Sequence, residues 1–137
     1  MVTPAEAAEI LWRDDTATNG LGITLLDVGP GRARLAMTVR ADMINGHRTA
    51  HGGFLSAFAD SAFAVACNSH GEETVAAGFS VEFLEPAHEG DELVADAVEV
   101  VRRGRSGVYD VTVRRGETVI ATFRGRSRSL GRPLTAE

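Results

Sequence analysis

A single acid, Asp60, stands inside an otherwise apolar and small-residue run over residues 54–67. A carboxylate in such surroundings is costly to ionise unless it is paired or put to use. One use is as a general base that takes a proton from water. The run is too long and too alanine-rich for a strand and has no proline or internal glycine, so it reads as a helix. Apolar residues surround its axis, which predicts a helix buried on all sides. Immediately before it comes His51-Gly52-Gly53. Gly52 then falls at the start of the helix, where backbone N–H groups lack partners and the dipole is positive. Such an end polarises a carbonyl and stabilises an oxyanion. Glycine also lets a ligand approach the backbone closely.

Spacing sets a condition on these two groups. Asp60 follows Gly52 by eight residues, about 12 Å along a helix at 1.5 Å per residue. A base must reach its water, and the water its carbonyl, within about 3 Å each. One chain therefore places both groups poorly for a single carbonyl. Two antiparallel copies of the helix, related by a two-fold axis, would bring Gly52 of one near Asp60 of the other, so a site that uses both is shared between subunits. The plainer alternatives are a tight turn for the glycines and, for Asp60, a structural acid bonded to backbone or arginine.

Other candidates carry weaker signals. His47 and His51 are four apart, as two metal ligands on a helix would be, but Gly46 and Thr49 make a poor helix and no third ligand is evident, so no metal is expected. His51 better suits fixing the loop or contacting a substrate. Asn45 can donate an amide hydrogen bond to a carbonyl or make an Asx turn. Cys67 has no basic neighbour in sequence and reads as structural. Ser61 and Ser80 show no His-Asp partners of a triad. The glycine-rich loops GxxxxGK[ST] and GxGxxG are absent.

The elements that must position these groups read as follows. Thr3-Pro4 opens a short helix, broken by Gly20 and Gly22. Strands are predicted over 23–28 and 34–40, joined as a hairpin at Gly29-Pro30-Gly31, with Leu35, Met37 and Val39 on one face. After the buried helix, capped near Gly71, come strands over 75–84, 93–101, 107–114 and 119–128. The first of these puts Phe79, Val81 and Phe83 on one face. Residues 1–137 form one domain, with 1–19 an N-terminal helix and lead-in and 130–137 a flexible tail. The class is α+β: a mainly antiparallel sheet wrapped around one long helix, its far face and edges open to association.

Bulk properties narrow the function. The net charge of -5 gives no support for nucleic-acid binding. All fourteen basic residues are arginine, nine of them between Arg102 and Arg132, which suits either a solvated face or a local anionic ligand. One cysteine allows no disulfide framework and fits a reducing, cytoplasmic setting. The N-terminus has acids where a signal peptide is basic, and the apolar run is too short to span a bilayer, so neither export nor membrane insertion is expected.

The motif Asn45-Gly46-His47-x-Thr49-x-His51-Gly52-Gly53, followed by Asp60-Ser61-Ala62-Phe63 and Ala66-Cys67-Asn68-Ser69, closely resembles the hotdog-fold thioesterases of the phenylacetate pathway, the PaaI group. Phe83-Leu84-x-Pro86-Ala87 with Gly90-Asp91, and the run 104–111 beginning Gly104-Arg105-Ser106-Gly107, are similar to two further segments of that group. The resemblance covers about residues 20–130. It implies a hotdog fold, a homodimer with a continuous sheet and shared sites, and commonly a homotetramer of two such dimers. It also implies hydrolysis of acyl-CoA thioesters with no metal or organic cofactor, CoA being part of the substrate.

By position, the resemblance makes Gly52 the backbone donor to the thioester oxygen, aided by Asn45. Asp60 of the partner chain becomes general base or nucleophile, and His51 supports the loop or the thioester. Ser80 matches a position that orients water, across a loop of different length. Gly53, Arg103, Arg105, Ser106 and Gly107 are expected along the CoA. The function expected is hydrolysis of phenylacetyl-CoA or hydroxyphenylacetyl-CoA. Its rivals are a hotdog thioesterase for a medium-chain or naphthoyl group, an acyl-CoA sensor without catalysis, and a structural dimerisation domain.

Overall fold

A computed structural model describes residues 2–136. Helix α1 (Pro4–Arg13) starts as its sequence requires: Thr3 and Glu6 close a reciprocal capping box, and Pro4 sits where no N–H is needed. The helix does not continue to Gly20. It stops at Asp14, and Asp15 caps a second short helix, α2 (Thr16–Gly20). A buried Thr18 requires this break, because it turns the chain back onto the long helix α3 (Gly52–Asn68).

Six strands follow the predicted order: β1 (Thr24–Gly29), β2 (Arg32–Thr38), β3 (Glu72–Phe83), β4 (Glu92–Arg103), β5 (Ser106–Arg115) and β6 (Thr118–Pro133). They form one antiparallel sheet in the order β1-β2-β4-β5-β6-β3. Register fixes which residues meet α3. Val111 pairs with Phe123 and Phe123 with Val81, so these side chains share the helix-facing side. The far end of the Phe63 ring sits against Gly125, where a Cβ would stand 2.8 Å from it, and the ring centroid is 5.6 Å from that of Tyr109 and 5.7 Å from that of Phe123. Phe58 and Phe63 are fully buried, each contributing about 1.5–3 kcal/mol. The sheet therefore wraps the helix, as a hotdog fold does.

Two expectations change. First, α3 is not buried on all sides. Gly53, Ser56, Ala57, Asp60 and Ala64 form a half-open stripe at helical spacing. Its members are small, so the run looked uniformly apolar in sequence, yet this chain packs nothing large against them. Second, residues 129–133 are strand, not frayed tail. β3 begins at Glu72, earlier than predicted, and gives the end of β6 its partners: Glu72 pairs with Pro133, Arg132 binds Glu73 at 2.6 Å, and Leu134 N–H donates to Gly71 O at 2.8 Å. Residue 137, also assigned to the tail, lies outside the described residues. Phe79 and Phe83 share the helix-facing side with Val81, as expected, and remain 50% exposed because β3 is an edge strand. Among the described residues no helix is long and apolar enough to cross a membrane.

Candidate active site

The lead-in to α3 is a tightly bonded loop. Ala50 N–H donates to Ala87 O and His51 N–H to Met43 O, both at 2.7 Å. Asn45 Oδ1 accepts from the backbone N–H of His47 (2.9 Å) and Thr49 (3.2 Å) and from the Thr49 hydroxyl (3.3 Å). These three donors fix which way the amide points. They leave its NH₂ without a partner among the described residues, facing a cavity of about 400 Å³ shared with Gly52, Leu55, Phe83, Leu84 and Pro86.

His51 caps α3 with its ring: Nδ1 accepts the Gly53 N–H at 2.9 Å. The Gly53 N–H is thus occupied, whereas the Gly52 N–H has no acceptor among the described residues. No acid in the first turn offsets the positive end of the dipole. Gly52 lets the Phe83 ring close in, since a Cβ there would stand 2.8 Å from it and would displace the ring. Asn45, Gly52 and the loop-fixing His51 therefore come together as the sequence suggested, with two free donors beside one cavity. Phe83, Leu84 and Pro86 were not anticipated as its walls. Their signal was available: a Pro-bounded strand end in a sheet that wraps the helix has to meet the helix N-terminus.

Asp60 lies two turns further along the same helix and does not line this cavity. Its carboxyl makes no hydrogen bond or ion pair among the described residues, so the alternative of a structural acid bonded to backbone or arginine finds no support. Burial raises its proton affinity above the usual carboxylate range, and the charge of Asp15 raises it further. The neighbouring Ser61 hydroxyl meets Thr18 at 2.9 Å. Cys67 is buried, its thiol pushed up to about 12 by burial and then by Asp60, so it stays a neutral packing group.

Ser80 is not brought to this group. It pairs with Arg124, whose neighbours along β6, Phe123 and Gly125, face α3, so its side chain lies with Asp110, Thr112 and Arg124 on the sheet face opposite α3. His47 and His51 gather no further ligands: among the described residues no group of three His, Cys, Asp or Glu side chains is placed to hold a metal.

The arginine turn is a tight β4–β5 hairpin. Arg103 pairs with Ser106 across Gly104, whose φ of 60° suits glycine. Gly107 lets Tyr109 and Ser127 close in, since a Cβ would stand 2.9 Å and 2.7 Å from them. Arg103 and Arg105 hold no ion pair among the described residues, unlike Arg115, Arg124 and Arg132. Arg105 lines a second cavity, of about 860 Å³, with Gly71 and Arg132. Ser106 lies beside Cys67 and His70, at the end of α3 away from Gly52. Free cations, an uncommitted acid and two free donors are therefore spread along one helix axis, with the cations and the donors at opposite ends.

A helix wrapped by an antiparallel sheet, carrying a half-buried carboxyl and preceded by a loop that leaves two N–H donors free, is the architecture of the hotdog class. Residues 47–122 match the family model of the thioesterase superfamily, and the chain belongs to that family as a hydrolase acting on thioesters. It is 41% identical over 132 residues to the acyl-coenzyme A thioesterase PaaI of Escherichia coli, covering 95% of this chain and 94% of that protein. The solved structure of the E. coli PaaI protein from the phenylacetic acid degradation operon superposes with a TM-score of 0.93 at 38% identity, covering 96% of both chains. A mutant of the phenylacetic acid degradation protein PaaI of Thermus thermophilus gives 0.82 at 40% identity, over 85% of this chain and 100% of that one.

Proposed function

We propose that the chain hydrolyses phenylacetyl-CoA or hydroxyphenylacetyl-CoA to the free acid and CoA, in the breakdown of phenylacetate in the cytoplasm. The observation that carries the hydrolytic part is Asp60: a half-buried carboxyl with raised proton affinity and no partner among the described residues. The names of the relatives support the acyl-CoA substrate and the pathway.

The working site is shared by two copies. Gly52 and Asp60 are eight residues apart on one continuous helix, about 12 Å, so a second antiparallel copy supplies the missing half. The half-open stripe of small residues through Asp60 leaves room for that approach. β3 has one unpaired edge and bears exposed Val75, Phe79 and Phe83, with exposed Leu84 just beyond it, the kind of edge that pairing with a second copy would cover. Two such dimers would make the homotetramer.

In this arrangement the thioester oxygen lies between the Gly52 N–H and the Asn45 amide of one chain. Asp60 of the other takes a proton from water as it attacks, and the oxyanion is held by the two donors. Collapse of the intermediate expels the CoA thiolate, which recovers the proton from Asp60. Direct attack by the Asp60 carboxylate is the competing route, and single-turnover hydrolysis in ¹⁸O-water separates them by whether label enters Asp60. Arg103, Arg105 and Ser106 would meet CoA phosphates. The chemistry requires no metal or organic cofactor.

The test is thiol release from phenylacetyl-CoA, hydroxyphenylacetyl-CoA and a straight-chain acyl-CoA series, with wild type and Asp60→Asn side by side. Best turnover of the aromatic thioesters and an inactive variant are the expected result. Preference for straight chains overturns the pathway, and full activity of Asp60→Asn overturns the mechanism.

A further inference from the structure

The hydroxyl of Thr18 is buried, and its hydrogen bonds can be assigned a direction. Thr18 Oγ1 lies 2.6 Å from Asp15 Oδ2 and 2.9 Å from Ser61 Oγ. An ionised carboxylate only accepts, so Thr18 donates its one proton to Asp15 and can only accept from Ser61. Ser61 therefore aims its O–H at Thr18 rather than back at its own helix. Ser56, one helical face earlier, takes the ordinary option and donates to Gly52 O at 2.8 Å. The result is a polarised line, Ser61 to Thr18 to Asp15, that ends on a negative charge and begins at the residue next to Asp60.

We propose that Asp15 is a positioning residue for the hydrolytic reaction, holding α3 at Ser61 through Thr18 and keeping its negative charge beside the turn that carries Asp60. This rests on the reading of Asp60 as the reacting carboxylate. A base with a higher proton affinity accepts the water proton more readily at neutral pH. The field of Asp15 acts in that direction, in addition to burial. The other elements offer α3 little competing charge. The sheet presents Leu35, Ala95, Val111 and Phe123, with Tyr109 and its partner Glu99 the titratable groups of that face. Helix α1 presents Ala8 and Leu11, and on α3 itself the Cys67 thiol is neutral. In a two-chain site, His51 of the second copy is a further titratable group brought to Asp60, and the variants below leave it unchanged.

Asp15→Asn keeps an oxygen to cap α2 and to accept from Thr18, and removes only the charge. Expected are an acid limb of the kcat profile displaced to lower pH, a plateau kcat lower by about two- to five-fold, and an unchanged KM. Relative to wild type the variant gains activity on the acid side, which a merely structural role would not produce. Asp15→Ser repeats the test should the first variant fail to fold. An acid limb that stays in place in a folded variant overturns the proposal, as does failure of both variants to fold. Activity retained by Asp60→Asn instead overturns the reading of Asp60, so the two failures are distinguishable.

Discussion

Gly52 and Asp60 stand on one uninterrupted helix, eight residues apart, the first beside a cavity and the second outside it. On the proposed mechanism neither completes a hydrolytic site in its own chain. Mixing an inactive Asp60→Asn protein with an inactive Gly52 variant is expected to restore activity, up to about one intact site per mixed dimer. Thiol release after verified subunit exchange is the measurement, and no recovery would count against the shared site.

Asp60 also sets a trade between stability and activity. Its proton affinity is raised in the fold, so its stabilising contribution is present below its unfolded value of 3.8 and is lost as pH rises through the raised value. Once deprotonated, the desolvated carboxylate opposes folding. Asp60→Asn should therefore raise Tm by on the order of a few °C while lowering kcat by about 10²-fold or more. Thermal unfolding from pH 3 to pH 7 checks the sign, since the gap between variant and wild type should widen as pH rises.

Asn45 uses its oxygen for the loop and leaves its NH₂ to the cavity. Asn45→Asp keeps the acceptor and removes the donor. Near-wild-type Tm with kcat lower by about 10²–10³-fold is the expected pattern for lost oxyanion stabilisation. Asn45→Ala, which removes both, should lose Tm as well.

Phe83 and Gly52 are coupled by contact. A Cβ at Gly52 would meet the half-exposed Phe83 ring at 2.8 Å, so Gly52→Ala should displace that ring and destabilise by at most about 1 kcal/mol, below the overpacking cost of a closed core. Phe83→Ala in the same chain should recover part of that loss, and a double-mutant cycle by denaturant unfolding reads the coupling. Simple additivity would refute the contact.

Glu99 gives a second pH signature, away from the site. Burial alone would raise its carboxyl, but hydrogen bonds from Tyr109 and His70, both 2.7 Å, outweigh it and hold the group below its usual 4.5. Its stabilising contribution is present above 4.5 and lost as pH falls through the lowered value. Between pH 5 and pH 3, wild type should lose more Tm than Glu99→Gln.

Much of the molecule was written in local pattern. Thr3-Pro4 announced α1, alternation placed Leu35 and Met37 of β2, and Val39 just beyond it, in the core, and Gly71 marked the end of α3, because caps and periodicity depend on neighbours within a turn or two. The pairing of a lone acid with a helix-opening glycine was legible for the same reason. What needed the tertiary structure was everything set by strand register or by distant partners. Ser80 is carried to the outer face by its pairing with Arg124, and residues 129–133 become strand because Glu72 and Glu73 lie beside them. Phe83 walls the cavity because the sheet wraps α3, and Thr18 meets Ser61 across 43 positions of sequence. The sequence by itself determined which chemical groups are present and on which elements they ride. Only the packed sheet decided which of them face one another, since that depends on contacts that no local window contains.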